Sequence, residues 1–262
     1  MRDAVRLDAA VAARTGMTRS QARSLIMEGR IRVDGRIATK AGQSTPPAAT
    51  IDVARPRRFV SRGGEKLESA LDAFEIDVRA SIVLDVGAST GGFTDCLLQR
   101  GAASVTAVDV GYGQLDWRLR NDPRVIVVER TNFRLLGDDA FPQGFDTIVV
   151  DASFVSVRSI ATRARAYLRP AGALVVLVKP QFEAGRARLG GGGVVRDPAV
   201  HAAVLREVRD GLLDRALVPV ALALSPLRGP AGNREFFMEL RLEGRAFGDE
   251  RIAEVVAADH AS

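Results

Sequence analysis

Apolar runs alternate with helix-period segments along most of this chain. Ile82–Leu84, Val105–Val108, Val125–Val128, Thr147–Val150, Leu174–Val178, Val218–Leu222 and Phe236–Leu240 read as strands. Helical patterns fit between them near 92–100, 113–120, 156–168 and 199–216. This alternation predicts a doubly wound, mostly parallel sheet, a Rossmann-like α/β domain spanning 64–247. Residues 248–262 read as a short tail helix.

The first fifty or so residues follow a different rhythm. Arg6-Leu7-Asp8 opens a helical pattern with apolar positions at Leu7, Ala10 and Val11. Thr18, with Gln21 three residues on, has the form of a capping box at the start of a second helix. That helix carries Ala22, Leu25 and Ile26 on one side, with Arg19, Arg23 and Arg30 on the other, and Gly29 ends it. Asp34-Gly35 then sits between Ile31–Val33 and Gly35–Ile37, a strong hairpin signal. A small α+β module over 1–54 is expected, followed by an arginine-rich linker at 55–63.

Charge sharpens the division. The 262 residues carry a formal net charge of +5 and a pI near 10.1. Residues 1–68 hold fourteen basic and seven acidic side chains, so much of the excess lies in the first quarter. A polyanionic partner fits that bias, although a charge of this size also serves solubility. The single cysteine, Cys96, excludes an intramolecular disulfide and argues for a reducing compartment; packing is its expected role. No apolar run reaches membrane-spanning length and no signal-peptide core is evident, so the expected location is cytoplasmic.

The candidate chemistry begins at Asp85-Val86-Gly87-Ala88-Ser89-Thr90-Gly91-Gly92-Phe93, between the first strand and the first helix of the sheet. A second strand closes on Asp109. Such a unit grips an adenosine-containing cofactor: glycines admit it to the backbone and the acid takes the ribose hydroxyls. The turn reads G-A-S-T-G-G, not the G-x-G-x-x-G of dinucleotide sites. Asp85 would repel a phosphate and suits the ammonium of a methionine tail. S-adenosylmethionine (SAM) is therefore the expected cofactor, with Asp85, Gly87, Ser89, Thr90 and Gly91 at its methionine end and Asp109 on the ribose. Val110 could stack near adenine, and Asn132 could reach the adenine edge or simply cap a turn. Phe93 is expected to pack beneath the turn.

Three ionisable residues fall at strand ends, where such sheets present functional groups. They are Asp151 in D-A-S-F, Lys179 in K-P-Q-F and Glu235 in G-N-R-E-F-F. Lys66, in S-R-G-G-E-K-L, borders the apolar stripe Leu67, Ala70, Leu71 and Phe74 of an earlier helix. A structural salt bridge is the plain alternative for Lys179 alone; the four together make it weaker.

R-L-D followed by T-R-S-Q-A-R-S-L-I-M-E-G-R-I-R-V-D-G resembles the S4-type RNA-binding module. Lys66, the glycine turn, Asp151, Lys179 and Glu235, in that order, resemble the K-D-K-E tetrad of FtsJ-like RNA ribose 2′-O-methyltransferases. Together they resemble the TlyA-type (haemolysin A) rRNA methyltransferases over about 4–245. The resemblance implies SAM as methyl donor and a ribose 2′-hydroxyl of ribosomal RNA as acceptor, a cytidine of 16S or 23S rRNA. It implies Lys66, Asp151, Lys179 and Glu235 as the catalytic set. Lys179 would orient and deprotonate the hydroxyl, and the sulfonium supplies the electrophile, so no metal is expected. Arg6, Arg19, Arg23, Arg30, Arg32, Arg58 and Arg62 are the expected RNA contacts. D-A-S-F lacks the Pro-Pro-aromatic clamp of base N-methylation, and Cys96 lies in the wrong element for carbon-5 chemistry.

Several readings stay open. Gly185–Gly193 is either a mobile lid or RNA-contacting loop, or an idle surface loop. Trp117 and Phe59 could stack on bases, with packing the safer reading of Trp117, and His201 is taken as structural, with no metal set around it or His260. The competing functions are a non-catalytic RNA-binding ribosome-assembly factor and, behind it, a membrane-lytic protein.

Overall fold

A seven-stranded sheet organises the larger of two units. In this computed structural model, which describes residues 4–27, 29–54 and 58–258, the chain divides into Met1–Arg57 and Arg58–Ser262.

The first unit contains β1 (Val5–Arg6), α1 (Leu7–Thr15), α2 (Arg19–Met27), β2 (Ile31–Val33), β3 (Arg36–Ile37), β4 (Ser44–Thr45) and β5 (Ile51–Val53). The capping box forms as expected: the Thr18 amide donates to Gln21 Oε1 at 2.9 Å and the Gln21 amide to Thr18 Oγ1 at 3.2 Å. Leu7, Val11, Ala22, Ile26 and Ile31 are fully buried and close a small core between the helix pair and the strands. β2 pairs antiparallel with β3 across the Asp34-Gly35 turn and with β5 on its other side.

The second unit runs α3 (Gly63–Ala73), β6 (Ile82–Val86), α4 (Gly92–Gln99), β7 (Ser104–Val108), α5 (Trp117–Arg120), β8 (Val125–Val128), β9 (Phe145–Val150), α6 (Val157–Arg165), β10 (Leu168–Val178), α7 (Pro180–Glu183), α8 (Pro198–Leu213), β11 (Val218–Leu224), β12 (Phe236–Arg241) and α9 (Asp249–Ala258). The strand order is β11-β12-β10-β9-β6-β7-β8; β12 pairs antiparallel with both β10 and β11, and the other pairings are parallel. Successive side chains leave opposite faces of a strand, so the continuous apolar runs fill two cores. Val83, Val105, Val149, Val175, Leu177 and Phe237 join α3 and α4. Leu84, Ile148, Val176, Val178, Phe236 and Met238 join α6, α8 and α9. The strand order reverses between β6 and β9, which opens a crevice at their carboxyl ends.

Four details differ from the sequence reading. α5 covers only Trp117–Arg120, because Asp116 accepts from the Arg118 amide (2.9 Å) and starts the helix late. Trp117 does not pack: it is 75% exposed. Residues 58–63 belong to the second unit. There Phe59 is buried, the Val60 amide donates to Asp95 Oδ2 (2.8 Å) and Gln99 Nε2 donates to the Arg58 carbonyl (2.9 Å). The tail helix is core structure, since Ile252, Val255 and Val256 bury against the α6–α8 side. Cys96 is buried, and burial pushes its thiol up to about 12. His201 is buried edge-on to Phe236, with Nε2 3.2 Å from the Val195 carbonyl oxygen. His260 and 55–57 lie outside the described residues. No helix among the described residues is long and apolar enough to cross a membrane.

Candidate active site

Sheet register brings the four expected catalytic residues together. Val176 of β10 lies opposite Val150 of β9, so Asp151 and Lys179 both leave the carboxyl end of the sheet. Antiparallel pairing sets Val178 opposite Phe236, which delivers Glu235 beside Lys179 from the start of β12. Lys66 arrives from α3 and joins Glu235, Nζ to Oε2 at 2.5 Å. Lys179 Nζ lies 2.5 Å from Asp151 Oδ1. The result is two lysine–carboxylate pairs on adjacent strand ends. Lys66, Lys179 and Glu235 side chains are at most 10% exposed, whereas Asp151 keeps 26%.

The second pair is close but poorly aligned. Among the described residues Asp151 Oδ1 has no partner of hydrogen-bond geometry, and the directed bond from Lys179 Nζ goes to Ser153 Oγ at 2.9 Å. Ser153 was not singled out in the sequence, although it stands inside D-A-S-F. Glu183 was also missed. Its nearly buried carboxylate accepts from Ser156 Oγ (2.8 Å) and the Val157 amide (2.6 Å), capping α6 from α7. Phe154 packs against Phe182 with the rings tilted by 48° and their centroids 4.9 Å apart. Three contacts therefore lock the loop bearing Asp151 to the loop bearing Lys179.

Asp151 and Ser153 also line a cavity of about 520 Å³ with Gly87, Ser89, Asp109 and Val110. Asn132 lines it too, and its side chain accepts from the Arg134 amide, so it caps a turn at the cavity wall. Asp109 holds the rim, accepting from the Ser89 amide (2.8 Å) and the Gly111 amide (2.6 Å). Gly87 has φ +85°, and a Cβ there would lie 2.5 Å from the Asp151 carbonyl oxygen. The glycine thus serves the approach of β9 to the turn. Thr90 and Gly91 do not line the cavity. A Cβ on Gly91 would meet Leu119 Cδ1 at 2.3 Å, so that glycine makes room for α5.

Asp85 lies fully buried at the end of β6 and does not line the cavity itself. Thr94 Oγ1 donates to its Oδ2 at 2.6 Å, while Oδ1 has no hydrogen-bond partner among the described residues. Burial pushes the carboxyl up to about 7; the Thr94 hydrogen bond opposes the rise, and the charge of Asp151 adds to it. An orphaned acceptor held among acids calls for a cation. Asp109 and the exposed Val110 place a carboxylate and an apolar face at the cavity wall.

Comparison with known proteins gives the family. The FtsJ-like methyltransferase pattern matches residues 59–242, and the S4 domain pattern matches 5–44. The chain belongs to the FtsJ-like methyltransferases. This FtsJ-like enzyme is 46% identical over 234 residues to the 16S/23S rRNA (cytidine-2′-O)-methyltransferase TlyA of Mycobacterium tuberculosis strain H37Rv, covering 88% of this chain and 87% of that one. It is 39% identical to Hemolysin A of Brachyspira hyodysenteriae, covering 84% of this chain and 92% of the other. Among solved structures, a protein named as a hemolysin from Streptococcus thermophilus superposes with a TM-score of 0.77 at 38% identity, over 100% of this chain and 97% of that chain.

The arginines expected to meet RNA divide between the two units. In the S4 domain, Arg6, Arg19 and Arg23 all converge on Asp8. Arg30 Nη2 donates to the Ala54 carbonyl (3.1 Å) and Arg32 Nη1 to the Gly35 carbonyl (3.1 Å). In the methyltransferase unit, Arg58 pairs with Glu68 at 2.6 Å and lies over the Phe59 ring, and Arg62 is exposed at the start of α3. The 185–193 loop is pinned by Arg188, which grips Glu207 at 2.7 and 2.8 Å, and by Asn233, whose Nδ2 donates to the Gly193 carbonyl.

Proposed function

We propose that the protein transfers a methyl group from SAM to a ribose 2′-hydroxyl of ribosomal RNA, on a cytidine of the 16S or 23S molecule. The observation that carries this reading is the pair of lysine–carboxylate contacts at adjacent strand ends, with Asp151 of one pair lining the cavity. The name of the Mycobacterium tuberculosis relative supports the substrate. That substrate puts the place of work in the cytoplasm.

Asp85 would hold the methionine ammonium, Ser89 and the Gly87 backbone its surroundings, Asp109 the ribose diol, and Val110 with Asn132 the adenine. When bound, SAM supplies an electron-poor methyl group on a positively charged sulfur. A ribose hydroxyl is a weak nucleophile at neutral pH, so the chain must position it and take its proton. Lys179, anchored by Ser153 and Asp151, orients the hydroxyl and accepts that proton at Nζ. Asp151 then faces the resulting ammonium. Lys66 and Glu235 hold the neighbouring field and keep Lys179 from swinging toward Glu235. The loop-to-loop lock through Glu183 and Phe182 fixes the distance between Asp151 and Lys179.

The test uses labelled SAM with isolated small and large ribosomal subunits, followed by mapping of the methylated ribose. Lys179→Ala should lower transfer by about 10²-fold or more while SAM still binds. Full turnover by that variant would remove Lys179 from the mechanism. SAM binding with no methylated ribose on either subunit would favour a non-catalytic RNA-binding factor.

A further inference from the structure

The S4 domain contains a charged residue that sequence reading passed over as one acid among many. Asp8, in the first turn of α1, has no exposed surface, and its cover includes three guanidiniums. Arg6 grips it with Nε to Oδ1 (3.2 Å) and Nη2 to Oδ2 (3.0 Å). Arg19 Nη2 donates to Oδ1 at 3.1 Å and Arg23 Nε to Oδ2 at 2.9 Å. All three arginine side chains remain 53% exposed. Arg19 and Arg23 are one turn apart on α2, where like charges repel. The carboxylate between them removes that repulsion and fixes both rotamers.

Each guanidinium gives only part of itself to Asp8. Arg6 Nη1, Arg19 Nη1 and both Nη atoms of Arg23 stay outside these bonds. Three cations on one carboxylate leave two unbalanced positive charges, with exposed N–H donors fixed in place. Phosphate oxygens are the chemistry that such forks recognise.

We infer that Asp8 is a positioning residue for RNA, an acid that builds a preformed phosphate clamp from Arg6, Arg19 and Arg23. The inference rests on the RNA reading of this protein. Its consequence has the opposite sign to simple charge counting. Removing a negative charge from a polyanion-binding face should tighten binding and steepen its salt dependence. Here the lost carboxylate releases three long side chains, whose reordering on the RNA costs affinity.

The experiment measures binding of the full chain to isolated ribosomal subunits across a salt series. Asp8→Asn should bind about tenfold more weakly, with no steeper salt slope. Equal or tighter binding by this variant overturns the clamp. Hydrogen exchange of α1 and α2 amides checks that the variant is folded. If it is not, Arg23→Lys decides: the charge stays, but an ammonium cannot hold Asp8 and a phosphate as a planar fork does, so binding should fall roughly fivefold. Unchanged affinity there overturns the clamp as well. If the unmodified chain binds neither subunit, the proposed function itself fails, a result distinct from either variant's.

Discussion

Asp8 and Asp85 are both aspartates without exposed surface, one in each unit, and they have opposite fates. Three arginines hold the Asp8 carboxyl well below the ordinary carboxylate range, with the Arg6 hydrogen bond the largest cause. Asp85 has a threonine hydroxyl and two neighbouring acids, and burial lifts it to about 7. Asp8 is covered by half-exposed arginine side chains and Asp85 lies deep in the core, so depth and partners together decide the charge. Where the partners are in the fold, the acid is a finished structural element. Where one carboxylate oxygen has no hydrogen-bond partner among the described residues, desolvation dominates and the acid keeps its proton up to about pH 7.

Stability against pH gives the largest separation. The folded value of Asp85 is raised, so between about pH 4 and 7 the folded chain holds a proton that the unfolded chain has released. Its contribution is complete below 3.8 and is lost as pH rises through about 7, a difference of roughly 4 kcal/mol at most. Asp85→Asn should therefore stabilise the cofactor-free chain at pH values above about 7, by up to that amount, in a denaturant titration. A destabilised variant there would mean that Asp85 has a cation within the fold. Asp8 has the reverse sign: its contribution is present above 3.8 and is lost as pH falls below it. Asp8→Asn should cost about 2 kcal/mol at neutral pH, read from amide exchange in α1 and α2, through lost charge-assisted hydrogen bonds. A neutral effect would reduce the cluster to surface decoration.

The same two residues mark how far the sequence can be read. The alternation of strands and helices follows from periodicity, and Asp151, Lys179 and Glu235 stand out because they end or open strands, whereas Lys66, on a helix, joins them through the family resemblance; the Val178–Phe236 register needs only an antiparallel last strand to place Glu235 by Lys179. The capping box was equally legible, since Thr18 and Gln21 satisfy each other locally. What stayed hidden depends on distance across the fold. Asp8 meets Arg19 and Arg23 only once α1 and α2 pair, and Glu183 caps α6 only once α7 reaches it. The turn motif also does not say that Leu119 fills the space behind Gly91, a packing reason for glycine at that position. Trp117 was misjudged for a related reason: its size suggests a core, but Asp116 starts the helix with the ring outward.

Thr94 offers the smallest and sharpest test, because it is the partner that keeps Asp85 from rising further. A methionine ammonium beside Asp85 favours the charged carboxylate. Below pH 7 its binding must expel the proton, and above pH 7 there is none to expel. Affinity for SAM should thus rise by about tenfold per pH unit toward pH 7 and level off beyond it, measured by calorimetric titration. Thr94→Val keeps the shape of the side chain and removes the hydroxyl, so the carboxyl rises and the levelling-off moves to higher pH. At about pH 6 the variant should bind up to roughly tenfold more weakly; well above the new midpoint it should differ by only a few-fold. The pattern separates charge from packing. A hydroxyl that served packing alone would, when lost, weaken binding equally at every pH. A pH-independent affinity in the unmodified chain would place the ammonium somewhere other than Asp85, and the contrast between the two buried aspartates would then have no bearing on the cofactor.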